Sequence, residues 1–373
     1  MGFMMNRSTS LYLDIVRPAA ALAVLLYHVG DENLSAGQLN IMSSAGFQAV
    51  DIFFVLSGFV IAHVYAARES EARRFIVSRA ARIYSVAIPV LILTAILDGI
   101  GLRENPAVYL GPFQPFTPGL AIRSVLFLGE QWNAHRFPGS DGPYWSLGFE
   151  VWYYVAFAAF VFVRGWMRWL AVAAVLVLIG PKVAIMFPAW LMGVAAYHAC
   201  RWPLSARAGW ACFILSIAAF AGFQAVPHSD LQQFAAVSFS AARIGSMAQD
   251  YFVAFVFCVN IVGFSAISDR FAPVLERHGA IIRWIAGGTF SVYLAHLPIM
   301  HVLAAVSPWP PSSRWTLALL VVVTPVACMA FAELSERRKA MWRAAMDWLL
   351  PARSGAAASF AHALLRGRPA GSD

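Results

Sequence analysis

The chain has 373 residues, of which 60% are apolar and only 12% charged, against about 25% charged in soluble domains. These values exclude water as the main solvent and leave no room for a large soluble domain; the bilayer takes that place. The formal net charge of +8 comes almost entirely from arginine, which in a membrane protein orients helices and meets anionic lipid headgroups, so membrane lipids are expected partners and nucleic acid is not.

Apolar segments near 11–28, 48–66, 83–100, 146–163, 168–180, 183–199, 208–226, 251–267, 283–305 and 315–334 predict an all-α integral membrane protein of about ten transmembrane helices. The first segment follows Arg7 as a signal peptide would. Asp14 and Arg17 interrupt it and no small-x-small cleavage site follows, so it reads as an uncleaved first helix. With the N-terminus cytoplasmic, 21 of the 27 basic residues fall on the cytoplasmic side, leaving Arg103, Arg123, Arg136, Lys182, Arg243 and Arg314 outside. Both termini are therefore expected in the cytoplasm. Residues 1–350 form the transmembrane domain, and 351–373, a mixture of Ala, Gly, Ser and Arg, form a mobile basic cytoplasmic tail.

Ionisable residues inside apolar helices cost about 2.5–3.5 kcal/mol each and mark functional sites. In the first helix Arg17 and His28 are eleven residues apart, about 20° from overlap, and share one face. A snorkelling arginine and an interfacial histidine give the same pattern. The second helix, GFQAVDIFFVLSGF, carries Asp51 near the level of His28, where it either orients the imidazole or caps a helix start; Ser57 lies further along it. In RRFIVSRAARIYS, Arg79 and Arg82 stand at i, i+3 on one face. That fork suits the phosphates of a nucleotide-like donor and equally suits lipid headgroups.

The connection 101–145 is rich in proline, glycine and aromatics and reads as an ordered loop or re-entrant lid over a site. After it, PYWSLGFEVWYY places Glu150 among Trp145, Trp152, Tyr153 and Tyr154, as an active carboxyl group or as a helix-start charge within an aromatic belt. In TFSVYLAHLPIMH, His296 and His301 are five residues apart and off one face, which argues against a paired metal site; a lone buried histidine is commonly structural. His63, His198 and Glu333 sit at helix ends and receive no role. Cys200, Cys212, Cys258 and Cys328 lack metal or redox spacing.

Taken in order, LDIVRPAAALAVLLYH, GFQAVDIFFVLSGFVIAH, RRFIVSRAARIY, YWSLGFE and FSVYLAHLP resemble the motifs of the acyltransferase type 3 family of membrane proteins. The resemblance implies transfer of an acyl group, often acetyl from acetyl-CoA, to a hydroxyl of a sugar, surface glycan or similar acceptor. It implies acyl-CoA as co-substrate, no bound cofactor or metal, and a multi-pass place in the inner (plasma) membrane. Arg17 and His28 match the family's Arg, ten residues, His pair, and Asp51, Arg79, Arg82, Glu150 and His296 fall on motif positions. The sequence departs from the pattern at Pro18, Ser85, Val151 and Ala295; Pro18 reads as a mark of the helix's first turn, and Val151 removes a second acid, which puts the proton chemistry on His28.

The expected mechanism has donor phosphates near Arg79 and Arg82, a pantetheine arm passing Arg17, and His28 as general base, oriented by Asp51 or Glu150. A covalent acyl-histidine relay is an open variant. The rival classes are a transporter of a small acidic or acylated molecule, since buried charges also mark transport pathways, and a non-catalytic membrane scaffold.

Overall fold

The computed structural model describes residues 5–39, 45–111, 113–225 and 241–350. The tail 351–373 and the side chain of Arg243 lie outside the described residues. Eleven helical elements organise the rest: α1 Arg7–Val29, α2 Ala45–Ala67, α3 Ala72–Glu104, α4 Tyr144–Phe162, α5 Met167–Ala184, α6 Phe187–Ala199, α7 Ala206–Gln224, α8 Ala241–Ile267 and α9 Thr289–Val306. The last spanning stretch runs Arg314–Ala318, a π turn Leu319–Val323 and α10 Thr324–Leu334, and α11 Lys339–Leu349 follows. Among the described residues nine helices are long and apolar enough to cross a membrane, and no strand occurs.

The difference from ten lies at the fifth and sixth apolar segments. Gly180 interrupts α5 with φ 77° and ψ 172°, a conformation that glycine adopts without a Cβ penalty. A Cβ there would also come within 2.8 Å of the Trp132 backbone, whose N–H donates to Ile179 O at 3.1 Å. The loop thus enters the break. The following α6 has 13 residues, about 20 Å at 1.5 Å per residue, too short for a 30 Å hydrocarbon core.

Two further expectations are revised. The basic stretch before the third segment is not a connection: α3 has 33 residues, about 50 Å, and carries Arg73, Arg74, Arg79 and Arg82 on its own first turns. Pro18 is not in a first turn either, because α1 begins at Arg7, where Asn6 accepts the Ser8 amide at 2.9 Å. Pro18 lies inside the helix, and its missing N–H leaves the Asp14 carbonyl without its usual intrahelical donor, an arrangement transmembrane helices accommodate.

Helix α1 packs on α2 and α9, α9 on α3, and α2 on α6, while α7 joins through α8. The α2–α6 contact is backbone to backbone. A Cβ at Gly58 would stand 2.0 Å from Trp190 O, and one at Gly193 2.0 Å from Val55 O, the small-residue approach that membrane helices use in place of a hydrophobic drive. By connectivity, the N-terminal ends of α1 and α3 and the helix α11 share one face, called the basic face below. The connection 105–143 is ordered on the other, with a 3-10 turn Pro106–Tyr109, a helix Pro118–Val125 and a bridge between Gln114 and Gly139.

Candidate active site

Three arginines from two helices meet at the basic face. Arg17 of α1 pairs with Asp14 at 3.2 Å and Arg79 of α3 with Glu69 at 3.1 Å. Arg82 makes no ion pair within 4 Å among the described residues, and Arg79 Nε is buried without a hydrogen-bond partner. Together they stand between two spaces. Outward is a broad vestibule lined also by Arg68, Arg74, Lys339 and Arg343. Helix α11 is held at its rim because Arg73 bonds Asp347 at 2.8 Å and the Leu350 carbonyl at 2.7 Å. Inward is a narrow cavity of about 80 Å3.

That cavity has a polar wall and an apolar one. On the polar wall the Ser57 hydroxyl of α2 donates to Glu150 of α4 at 2.7 Å, Tyr154 donates to the same carboxylate oxygen, and Trp190 Nε1 donates to Ser57 at 3.1 Å. Glu150, the seventh residue of α4, therefore lies two turns inside the helix and is held by two hydroxyls. Val50, Phe53, Phe54, Leu56 and Leu147 supply the apolar wall. Glu336, beyond α10, lines the arginine end, and its carboxylate accepts the Phe290 and Ser291 amides at 3.1 Å each, capping α9 from outside.

Further from the basic face, the Ser146 and Tyr293 hydroxyls are 2.6 Å apart, and both residues line the cavity. Tyr293 stacks edge-on with Phe53 at 5.2 Å and reaches His296, one turn along α9, at 6.4 Å. His296 is fully buried and lies 5.2 Å, ring to ring, from His28. Its Nδ1–H donates to Val292 O at 3.0 Å, leaving Nε2 as a buried lone pair without a partner. Asp51 is buried on α2, six residues and about 9 Å nearer this end than Ser57.

The residues predicted from sequence thus fall into two groups. Arg17, Arg79, Arg82, Ser57 and Glu150 share the cavity; His28 and His296 pair beyond it. Glu150 is engaged by Ser57 and Tyr154 in a cavity whose lining does not include His28. The His301 ring lies 5.1 Å from that of Tyr109, at an interplanar angle of 40°.

Sequence reasoning missed Tyr293, Ser146 and Glu336. The i, i+3 spacing of Tyr293 and His296 was a legible signal. Lys182, expected on the outer side, is 5% exposed, donates to Glu130 and to the Ala134 carbonyl at 2.9 Å, and shares Glu130 with His135 at 3.0 Å. This trio ties the loop to the Gly180 break.

The family model described as an acyltransferase domain, Acyl_transf_3, matches residues 10–333. No curated protein and no solved structure matches the chain.

Proposed function

The chain belongs to the acyltransferase 3 family and is a multi-pass membrane acyltransferase; we propose that it moves an acyl group, in the simplest case acetyl, from acyl-CoA to a hydroxyl of a sugar, surface glycan or related acceptor. The observation that carries this reading is the gradient along one path: a vestibule rich in arginine, a narrowing at Arg17, Arg79 and Arg82, a mixed cavity, and a histidine pair.

Each part of an acyl-CoA finds matching chemistry on that path. Its phosphates suit the vestibule and the donor groups of Arg79 and Arg82. The pantetheine arm, thin and alternately amide and alkyl, suits a cavity with Ser57, Glu150 and an orphaned Thr289 hydroxyl on one side and Phe54 and Leu147 on the other. The acyl end then reaches Tyr293 and the histidines. His28 acts as general base on the acceptor hydroxyl, which arrives from the opposite face, with Asp51 as its orienting carboxylate. Donor at the basic face requires that face to be cytoplasmic, in keeping with the arginine bias, and a plasma-membrane location is part of the same proposal.

The test is binding of acetyl-CoA by the purified full-length protein. Saturable binding that 3′,5′-ADP and CoA both displace supports the reading; absence of binding by folded protein removes it.

A further inference from the structure

We infer that the Tyr293 hydroxyl, set by Ser146, is the group that receives the thioester carbonyl oxygen and stabilises the negative charge it develops, an inference that rests on the acyl-CoA reading above. Few other donors stand at this place. The Ser146 amide is used by Pro143 O at 3.3 Å, the Arg17 and Arg79 guanidinium groups are paired with Asp14 and Glu69, and the Ser57 and Tyr154 hydroxyls are spent on Glu150. Ser146 Oγ also donates to Pro143 O at 3.1 Å, so the hydrogen between Ser146 and Tyr293 is the tyrosine's. The resting acceptor of that hydrogen is a neutral hydroxyl oxygen, a weak partner that a charged oxygen displaces.

Position agrees with chemistry. Tyr293 lines the cavity through which the donor would come, while His296 follows it on α9 and faces His28. A carbonyl that accepts from Tyr293 therefore has its carbon at the boundary between cavity and histidines. In the transfer the acceptor oxygen bonds to that carbon as its proton passes to His28, and the C=O electron pair moves to the oxygen held by Tyr293. Collapse restores C=O and breaks the C–S bond, and the proton on His28 passes to sulfur, leaving an ester and the CoA thiol. Phe53, Phe54, Val50 and Leu147 keep this point poor in water, which strengthens a single hydroxyl donor.

The experiment uses the full-length protein and a matched pair of unreactive donors: carba-dethia acetyl-CoA, a ketone with the thioester's shape, and the same molecule with the carbonyl reduced to methylene. Wild type is expected to bind the ketone at least about threefold more tightly, the size of a neutral hydrogen bond. Tyr293→Phe, which keeps the ring and its packing, is expected to erase the preference while leaving the affinity for the reduced analogue unchanged. In expression-matched cells the same variant is expected to lower acylated product by about 10²- to 10³-fold, and Ser146→Ala by less. Equal affinity for the two analogues in wild type, a preference kept by Tyr293→Phe, or product at the wild-type level in that variant overturns the inference while acyl-CoA binding stands. If neither analogue binds, the acyl-CoA reading fails and takes the inference with it.

Discussion

The rings of His28 and His296, carried by the first and ninth of the labelled helices, lie 5.2 Å apart at an interplanar angle of 40°. They sit 268 residues apart in the chain, and the fold closes on them through the α1–α9 contact. Because the His296 Nδ1–H is committed to Val292 O, its Nε2 lone pair is left free, with His28 and His301 as titratable neighbours. His28→Ala is expected to reduce acyl transfer by about 10²- to 10⁴-fold, the range of a lost general base, with acetyl-CoA binding retained. Product formation and donor affinity measured on the same preparation check both halves.

Arg82 makes no ion pair within 4 Å among the described residues, with Glu336 and Glu150 acting on it from further off, whereas Arg17 and Arg79 are held by Asp14 and Glu69. Arg82→Ala is therefore expected to weaken acetyl-CoA binding by about 10- to 100-fold, as loss of a charged hydrogen bond does. Arg82→Lys recovers part of it, because an ammonium cannot reproduce the guanidinium fork. Equilibrium binding of acetyl-CoA reads the difference directly.

The Lys182–Glu130 pair is buried at both ends, so removing one partner strands the other. Lys182→Met is expected to lower stability by about 3–5 kcal/mol, and the double change with Glu130→Gln to recover much of that loss. Thermal unfolding in one detergent, followed for wild type, single and double variants, checks the order.

Asp141 lies in the connection before α4, fully buried, and burial together with the neighbouring Asp98 carboxyl holds its pKa well above the usual carboxylate range. Folded protein thus keeps a proton that the unfolded chain releases near pH 4. The sign follows: stability is greatest below the unfolded pKa and falls as pH rises towards the folded one. Asp141→Asn removes that dependence, so the variant is expected to be more stable than wild type at neutral pH and equal to it near pH 4. Unfolding temperatures at the two pH values test it.

Much of this was legible in the sequence, for reasons that are local. Apolar length reports a membrane helix directly, so α1, α2, α4 and α9 came out near their true bounds, and Arg17 with His28 came out on one face because 3.6 residues per turn fixes that. What stayed hidden depends on pairing at a distance. Nothing around Gly180 announces that Trp132 will press into it, and Glu130 is 52 residues from Lys182. Glu336 follows the last span, where a charge is ordinary, and only the fold brings it under the first amides of α9. Glu150 was read either as an active carboxyl group or as a helix-start charge, because its depth depends on where α4 begins, six residues earlier at Tyr144.

Transfer of an acyl group through His28 is checked by mass spectrometry of surface glycans and exported small molecules from cells carrying wild type, His28→Ala or no copy of the gene. Species heavier by one acyl group are expected in the wild type alone, absent alike from the variant and the deletion at matched protein level. Acylated species that persist in the His28→Ala cells and vanish only in the deletion would contradict it.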